Sequence, residues 1–282
     1  MKDLRKDLRQ YIDLRQALGY KLRKHEPRLT EFIAFLAAKG TDRITTRLAV
    51  AWATESSKGH KHSCFERLGF IRSFAKHVSS MDARTEIPPA GTMRRPEIAL
   101  RPYIYTQEEI GRLMAAARNL FSPRKLRCHT YYHLVGLLAT TGMRSGEAVR
   151  LADSDVNLAE GLITIRESKF GKSRVVPLHP TTVKALAACK ARRDTFLKKA
   201  KASTFFVNER RGPIGSPHKS FRDICCAAGL EKMRDEVRPR MHDLRHTFAV
   251  QTLLAWYRKG ADVERHLPIL STFLGHSHVE NT

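Results

Sequence analysis

The chain has 282 residues, 42% of them hydrophobic, with a mean hydropathy of −0.39. This suits a soluble protein with real cores and is long enough for two domains. It carries 51 Lys and Arg against 28 Asp and Glu, a formal net charge of +23. Residues 1–90 hold 18 basic and 10 acidic side chains and the remainder 33 and 18, so both halves are basic. Such a distribution describes a surface shaped for a polyanion and excludes a single basic tether. A membrane partner is not expected, because no run approaches the roughly 18 apolar residues of a spanning helix. The start, MKDLRKDLRQ, alternates charge and has no apolar region of the kind a secretory signal needs. Five cysteines with no CxxC pair argue against a disulfide framework and a cysteine-based zinc site. The class expected is a reduced, intracellular nucleic-acid-binding protein.

The first stretch, to about residue 85, reads as helices throughout. In LTEFIAFLAAKG, Leu29, Phe32, Ile33, Phe35 and Leu36 recur at helical spacing, with Gly40 as the stop. In FERLGFIRSFAKHV, Phe65, Leu68, Ile71, Phe74, Ala75 and Val78 would line one face. Lys58, Lys61, Arg67, Arg72 and Lys76 decorate the rest and are candidates for DNA contact; an ordinary solvated face is the alternative. EIPPAGTMRRPEIALRPYIYT then carries Pro88, Pro89, Pro96 and Pro102, which favours extended chain. We read residues 88–103 as a linker between a helical domain, 1–87, and a second domain, 104–282.

Thr106 and Glu109 form a capping-box pattern that opens a helix over 108–117. YYHLVGLLATTG is a nearly all-apolar helix, expected at the centre of the core. GLITIRES and RVVPL are short strands joined by the turn-like KFGK, and TFFVN is a further candidate edge strand. TTVKALAACKARRDTFLKKA is an amphipathic helix with Pro180 near its start. SPHKSFRDICCAAG is expected to start with Ser216 as N-cap and Pro217 at the first helical position, and to stop at Gly229. HDLRHTFAVQTLLAWYRKG is a long helix closed by Gly260, and Pro268 is read as lying in the first turn of the next one.

Four motifs in the second domain could carry chemistry. In TTGMRSGEAVRL, Arg144 and Glu147 can share a helical face, either as a capping ion pair or with the arginine turned to an anion. In MHDLRHTF, His242 and Arg245 lie on one face. His242 and His246 have metal-ligand spacing, but the glutamate of HExxH is missing, so no metal site is expected. LGHSH adds His276, and ESKFGKSRVVPL places Lys169, Lys172 and Arg174 in and beside a hairpin turn. Each motif alone is weak.

In this order, TGMRSGE, SKFGKSRVVPL, HDLRH and LGHSH resemble the catalytic domain of the lambda-integrase-type tyrosine recombinases. The resemblance covers residues 104–282 by motif. The helical first domain is similar to that family's core-binding domain only in size and position. The fold implied is mainly α with a small β-sheet, an α+β architecture. The catalytic residues implied are Arg144, Lys169, His242, Arg245 and His276, with Glu147 supporting. Lys169 is preferred to Lys172 because it lies eight residues before Pro177. Lys172 and Arg174 are expected to join the DNA contacts. No metal and no cofactor are implied.

The family's nucleophilic tyrosine follows the last histidine by nine residues, which here falls three positions past Thr282. All seven tyrosines precede LGH, so residues 1–282 are expected to bind DNA without cleaving it. The implied activity is site-specific recombination of a mobile element through a covalent 3′-phosphotyrosine. The implied partners are double-stranded DNA with inverted-repeat sites, a homotetramer in the synapse and an accessory DNA-bending protein. The implied location is a bacterial cytoplasm, at the nucleoid. A type IB topoisomerase-like enzyme and a non-catalytic DNA-binding regulator are the competing readings.

Overall fold

The computed structural model describes residues 3–20, 22, 24–56, 61–94, 101–166, 173–198, 200–231 and 237–276. The chain divides into two compact units, Met1–Ala99 and Leu100–Thr282. The first is built on four helices: α1 (Leu4–Ala17), α2 (His25–Ala38), α3 (Thr46–Ser56) and α4 (Lys61–Ser79). Asp3 caps α1, its carboxylate accepting from the N–H groups of Arg5 and Lys6 at 3.0 and 3.2 Å. Gly40, in the left-handed region at φ +69°, follows α2 as the sequence suggests. Leu29, Phe32 and Leu36 of α2 meet Leu68, Ile71, Phe74, Ala75 and Val78 of α4 in one core with Trp52. Phe65 is only half-buried.

The chain after α4 folds back on this unit. Glu86 donates its N–H to the Ile44 carbonyl (2.9 Å), and its carboxylate accepts from the Thr46 N–H at the start of α3 (2.8 Å). Arg72 donates to the carbonyls of Pro88 and Pro89 at 2.8 and 2.9 Å. Prolines lack an N–H but keep a full acceptor, so this stretch can be fastened without a ladder.

The second unit holds α5 (Gln107–Arg118), α6 (Arg127–Thr141), α7 (Ser145–Arg150), β1 (Val156–Asn157), β2 (Leu162–Ile165), β3 (Arg174–Pro177), α8 (Pro180–Leu197), α9 (His218–Ala227), α10 (Asp243–Arg258) and α11 (Val263–Leu274). It is an α+β fold. Thr106 and Glu109 form the expected capping box at α5, with bonds of 3.1 and 2.8 Å. Tyr103 and Tyr105 belong to this unit's core. Helix α6 is central: Leu134, Val135, Leu137 and Leu138 are buried, and it packs against α5, α8 and α10. The three strands form an antiparallel sheet in the order β1-β2-β3. Ile163 faces Val176 and Ile165 faces Arg174 across β2 and β3.

Three local expectations are corrected. The TFFVN stretch is no sheet strand; only Val207 makes an isolated bridge, to Pro213. Phe205, Phe206 and Val207 are all buried, and a strand exposed on one face would alternate instead. Helix α9 begins one residue late: Pro217, not Ser216, occupies the cap, with no side-chain bond. Pro268 lies inside α11, which starts earlier because Asp262 caps it by accepting from the Arg265 N–H (3.1 Å). Among the described residues no helix is long and apolar enough to cross a membrane.

Candidate active site

Three chain reversals converge in the second unit. Helix α6 stops at Gly142, whose φ of +60° is left-handed. A Cβ there would lie 2.5 Å from Cδ1 of Phe248 and 2.9 Å from Cδ2 of Leu274, so only glycine lets the chain turn against α10 and α11. Arg144 then becomes the N-cap of α7, and Glu147 accepts its N–H at 2.9 Å. Helix α10 starts at Asp243, which is fully buried and accepts from the backbone N–H, Nε and Nη2 of Arg240 at 2.9, 3.0 and 2.7 Å. That anchor fixes the first turn of α10 and with it His242, Arg245 and His246. Helix α11 ends at Leu274, and Gly275 turns the chain at φ +73° so that His276 follows.

The last carbonyls of α11 have no partner within the helix and form the negative end of its dipole. Three arginines take them in succession. Arg174 Nε donates to Phe273 (2.9 Å), Arg245 Nη2 to Leu274 (2.8 Å) and Arg144 Nη2 to Gly275 (2.9 Å). Arg245 Nη1 also donates to the Gly142 carbonyl at 3.0 Å. Glu147 sits between the first and third of these arginines. Its carboxylate accepts from Arg144 Nη1 at 2.8 Å and from Arg174 Nη1 and Nη2 at 3.1 and 2.7 Å. Three guanidiniums therefore surround one helix end with a single carboxylate among them.

The electrostatics follow from that arrangement. Burial works to raise the Glu147 carboxyl, but the hydrogen bonds from Arg174 and Arg144 outweigh it and hold it at about 2. Burial, then repulsion from Arg144, pushes Arg245 down to about 9, which leaves it charged at neutral pH. His276 is pushed down to about 4 by burial and by Arg245 and Arg144, so its ring is neutral. His242 is open to solvent on one side, yet the surrounding protein, His246 and Arg245 lower it too. His246 lies edge-on to His242, with ring centroids 5.1 Å apart, and is lowered chiefly by burial. Among the described residues no group of three His, Cys, Asp or Glu that could hold a metal includes this pair.

The four motifs thus contribute as follows. Arg144, Glu147, Arg245 and His276 gather at the end of α11, with His242 at the N-cap of α10. Lys169, Lys172 and Lys58 lie outside the described residues. Lys61 and Lys76 are exposed on α4. Arg67 does not face a polyanion: it is buried, its guanidinium 4.7 Å over the Trp52 ring and 3.5 Å from Glu31. Arg72 is partly buried against the proline carbonyls described above, and Arg174 is turned inward on β3. Sequence reasoning missed Asp243, Arg240 and His246 as the frame around Arg245. The signal for the inward Arg174 was present, since it precedes Val176 by two residues and shares its face of the strand.

The sequence model of the phage integrase family matches residues 104–282. A Sinorhizobium fredii protein described as an integrase/recombinase, y4rB, is 43% identical, covering 100% of this chain and 92% of that protein. The tyrosine recombinase XerD of Corynebacterium glutamicum is 34% identical over 53% of this chain and 45% of its own length. Among solved structures, a lambda integrase (75-356) dimer bound to a COC′ core site matches with a TM-score of 0.66 at 20% identity, covering 99% of this chain and 97% of that one. The fold agrees with that structure, and the sequence agreement extends along the whole chain. On this evidence the chain belongs to the phage integrase family, the tyrosine recombinases.

Proposed function

We infer that this protein is a site-specific DNA strand transferase that cuts and rejoins the DNA of a mobile element through a covalent 3′-phosphotyrosine. One observation carries the chemistry: Arg144 and Arg245 are fastened to adjacent carbonyls at the end of α11, with neutral His276 next in the chain. The bonds to Gly275, Glu147, Leu274 and Gly142 engage two of the five N–H groups of each guanidinium, and the others are assigned to the phosphate. Attack by a tyrosine oxygen builds charge on a pentavalent phosphorus, and two planar forks match its non-bridging oxygens. Each preorganised donor of this kind lowers a barrier by roughly 3–4 kcal/mol. Tyrosine, with an ordinary pKa near 10, is a poor nucleophile unaided. His242 and His276, both held toward the neutral form, can accept its proton or orient the phosphate. Lys169 is assigned the protonation of the departing 5′ oxygen. The bond energy stays in the phosphotyrosine, so no external energy source is required.

The partners follow from this reading: duplex DNA carrying inverted-repeat sites, a homotetramer in the synapse, and an accessory protein that bends the DNA, all at the nucleoid of a bacterial cytoplasm. The basic excess in both units supports a DNA partner, as do the DNA-bound integrases among its structural neighbours. The test uses a polypeptide that carries a tyrosine nine residues after His276 and a plasmid bearing two copies of the element's end sequence. Exchange of strands between the two sites is the expected product. Relaxation of supercoils without exchange would instead indicate a topoisomerase.

A further inference from the structure

We propose that Arg174 is a positioning residue of the phosphate pocket, acting through Glu147, Arg144 and the carboxyl end of α11 and making no contact with DNA. The proposal rests on the recombinase reading for what the pocket does, and on geometry for what Arg174 does. The sheet turns this side chain inward. Arg174 lies opposite Ile165 and two residues before Val176, which are 3% and 1% exposed, whereas Val175 between them is 53% exposed. A strand alternates its faces, so Arg174 shares the buried one. Its side chain is 10% exposed, in keeping with that placement.

All three nitrogens of the guanidinium are engaged. Nη1 and Nη2 meet the two oxygens of Glu147 in a parallel fork, and Nε meets the Phe273 carbonyl. A lysine could reach one of these three acceptors, not all of them. Gly275 is shaped to the same purpose. A Cβ there would lie 2.8 Å from Nη1 and 3.2 Å from Cδ of Arg174, so the glycine before His276 makes room for this arginine as well as turning the chain.

Two consequences follow for the pocket. If Arg144 were the sole partner of Glu147, the pair would be neutral and the pocket would be left with the charge of Arg245. With Arg174 present, three guanidiniums and one carboxylate leave two positive charges. A phosphodiester carries one negative charge and an attacking tyrosinate brings another, so the positive charge that Arg174 restores favours the state the pocket must stabilise. Arg174 also joins three elements through one side chain: β3, the strand that directly follows the segment of Lys169 and Lys172; α7, through Glu147; and the end of α11, which carries His276.

The experiment combines Arg174→Gln, Arg174→Lys and Glu147→Gln. On residues 1–282 alone, binding to a random-sequence duplex should keep its salt dependence in Arg174→Gln, because no phosphate contact is lost. A slope smaller by about one overturns the proposal, since that is the signature of a phosphate-contacting side chain. In the same protein the His276 ring should titrate higher, as a nearby positive charge has gone. An unchanged His276 also overturns it. In a polypeptide carrying the tyrosine, single-turnover cleavage at saturating DNA should fall about 30-fold in Arg174→Gln, and Arg174→Lys should recover only a fraction of it. The double variant with Glu147→Gln should cleave no more slowly than Glu147→Gln alone; additive losses, or a full rate in Arg174→Lys, contradict action through Glu147. Absence of any adduct with the unaltered pocket would remove the recombinase reading instead, and the salt and titration results would still decide the place of Arg174. Should Arg174→Gln not fold, Arg174→Lys carries the cleavage comparison, and a full rate there overturns the proposal.

Discussion

Glu147 is the residue on which the pocket's charge balance turns. It is buried and accepts four hydrogen bonds from two arginines, one of them through the backbone. Glu147→Gln leaves the largely covered Arg174 guanidinium beside a neutral amide, and breaking a buried pair from one side costs about 3–5 kcal/mol. Chemical denaturation should show a loss in that range; a loss below about 1 kcal/mol would mean the pair contributes no more than a surface one. The pH dependence has two parts of the same sign. Glu147 is held at about 2, below its ordinary 4.5, so its contribution is complete above 4.5 and disappears as pH falls through 2. His276 is held at about 4, below its ordinary 6.5, so between those values the unfolded chain binds the proton and the folded one does not. Stability therefore rises with pH across that window, and His276→Gln should flatten the rise in a melting series from pH 4 to 7. An NMR titration placing free His276 near 6.5 would contradict the crowded pocket described here. Both histidines and both arginines of the motifs could be read from sequence because each motif is local. The four carbonyls that hold the arginines could not, because backbone acceptors leave no mark in a side-chain pattern.

At the level of elements, the pocket depends on how α6, α10 and α11 end or begin. Gly142 is the tightest of these points, with a left-handed φ and the Phe248 ring against it. Gly142→Ala combines backbone strain with overpacking, the latter worth about 1–3 kcal/mol. It should also slow cleavage more than an equally destabilising core change elsewhere, because the Gly142 carbonyl holds Arg245. Measuring both variants for stability and single-turnover cleavage checks this; equal rates at equal stability would mean the turn is only structural. Helix α11 shows where sequence reading fails at this scale. A proline suggested a first turn, yet Asp262 caps the helix five residues earlier than that reading needs. The strands β2 and β3 were legible from their β-branched residues and the turn-like KFGK between them, but TFFVN was not, because a short apolar run does not reveal whether it pairs.

Across the whole molecule, the informative quantity is charge. A net charge of +23 divided over both units calls for a partner that is a polyanion along its length. If about eight phosphates are neutralised, log K should fall with log salt at a slope near −7. A slope shallower than about −2 would leave most of the basic surface without a role. Composition and the proline-rich stretch made a two-part chain legible, since both are properties of long segments. The part played by individual basic residues was not legible: Arg67 and Arg174 count as surface charge in a sequence, yet Arg67 is buried and Arg174 is turned inward and partly buried in the structure.

The proposed chemistry turns on Arg144 and Arg245 acting as planar forks on the scissile phosphate. The direct measurement is single-turnover cleavage of a suicide substrate by a polypeptide bearing a tyrosine nine residues after His276, comparing Arg245→Lys with the unaltered pocket at saturating DNA. Keeping the charge while losing the fork should leave DNA affinity within about twofold and slow adduct formation by roughly 100-fold or more. Adduct formation at an unchanged rate would make Arg245 a purely structural residue and would contradict the account.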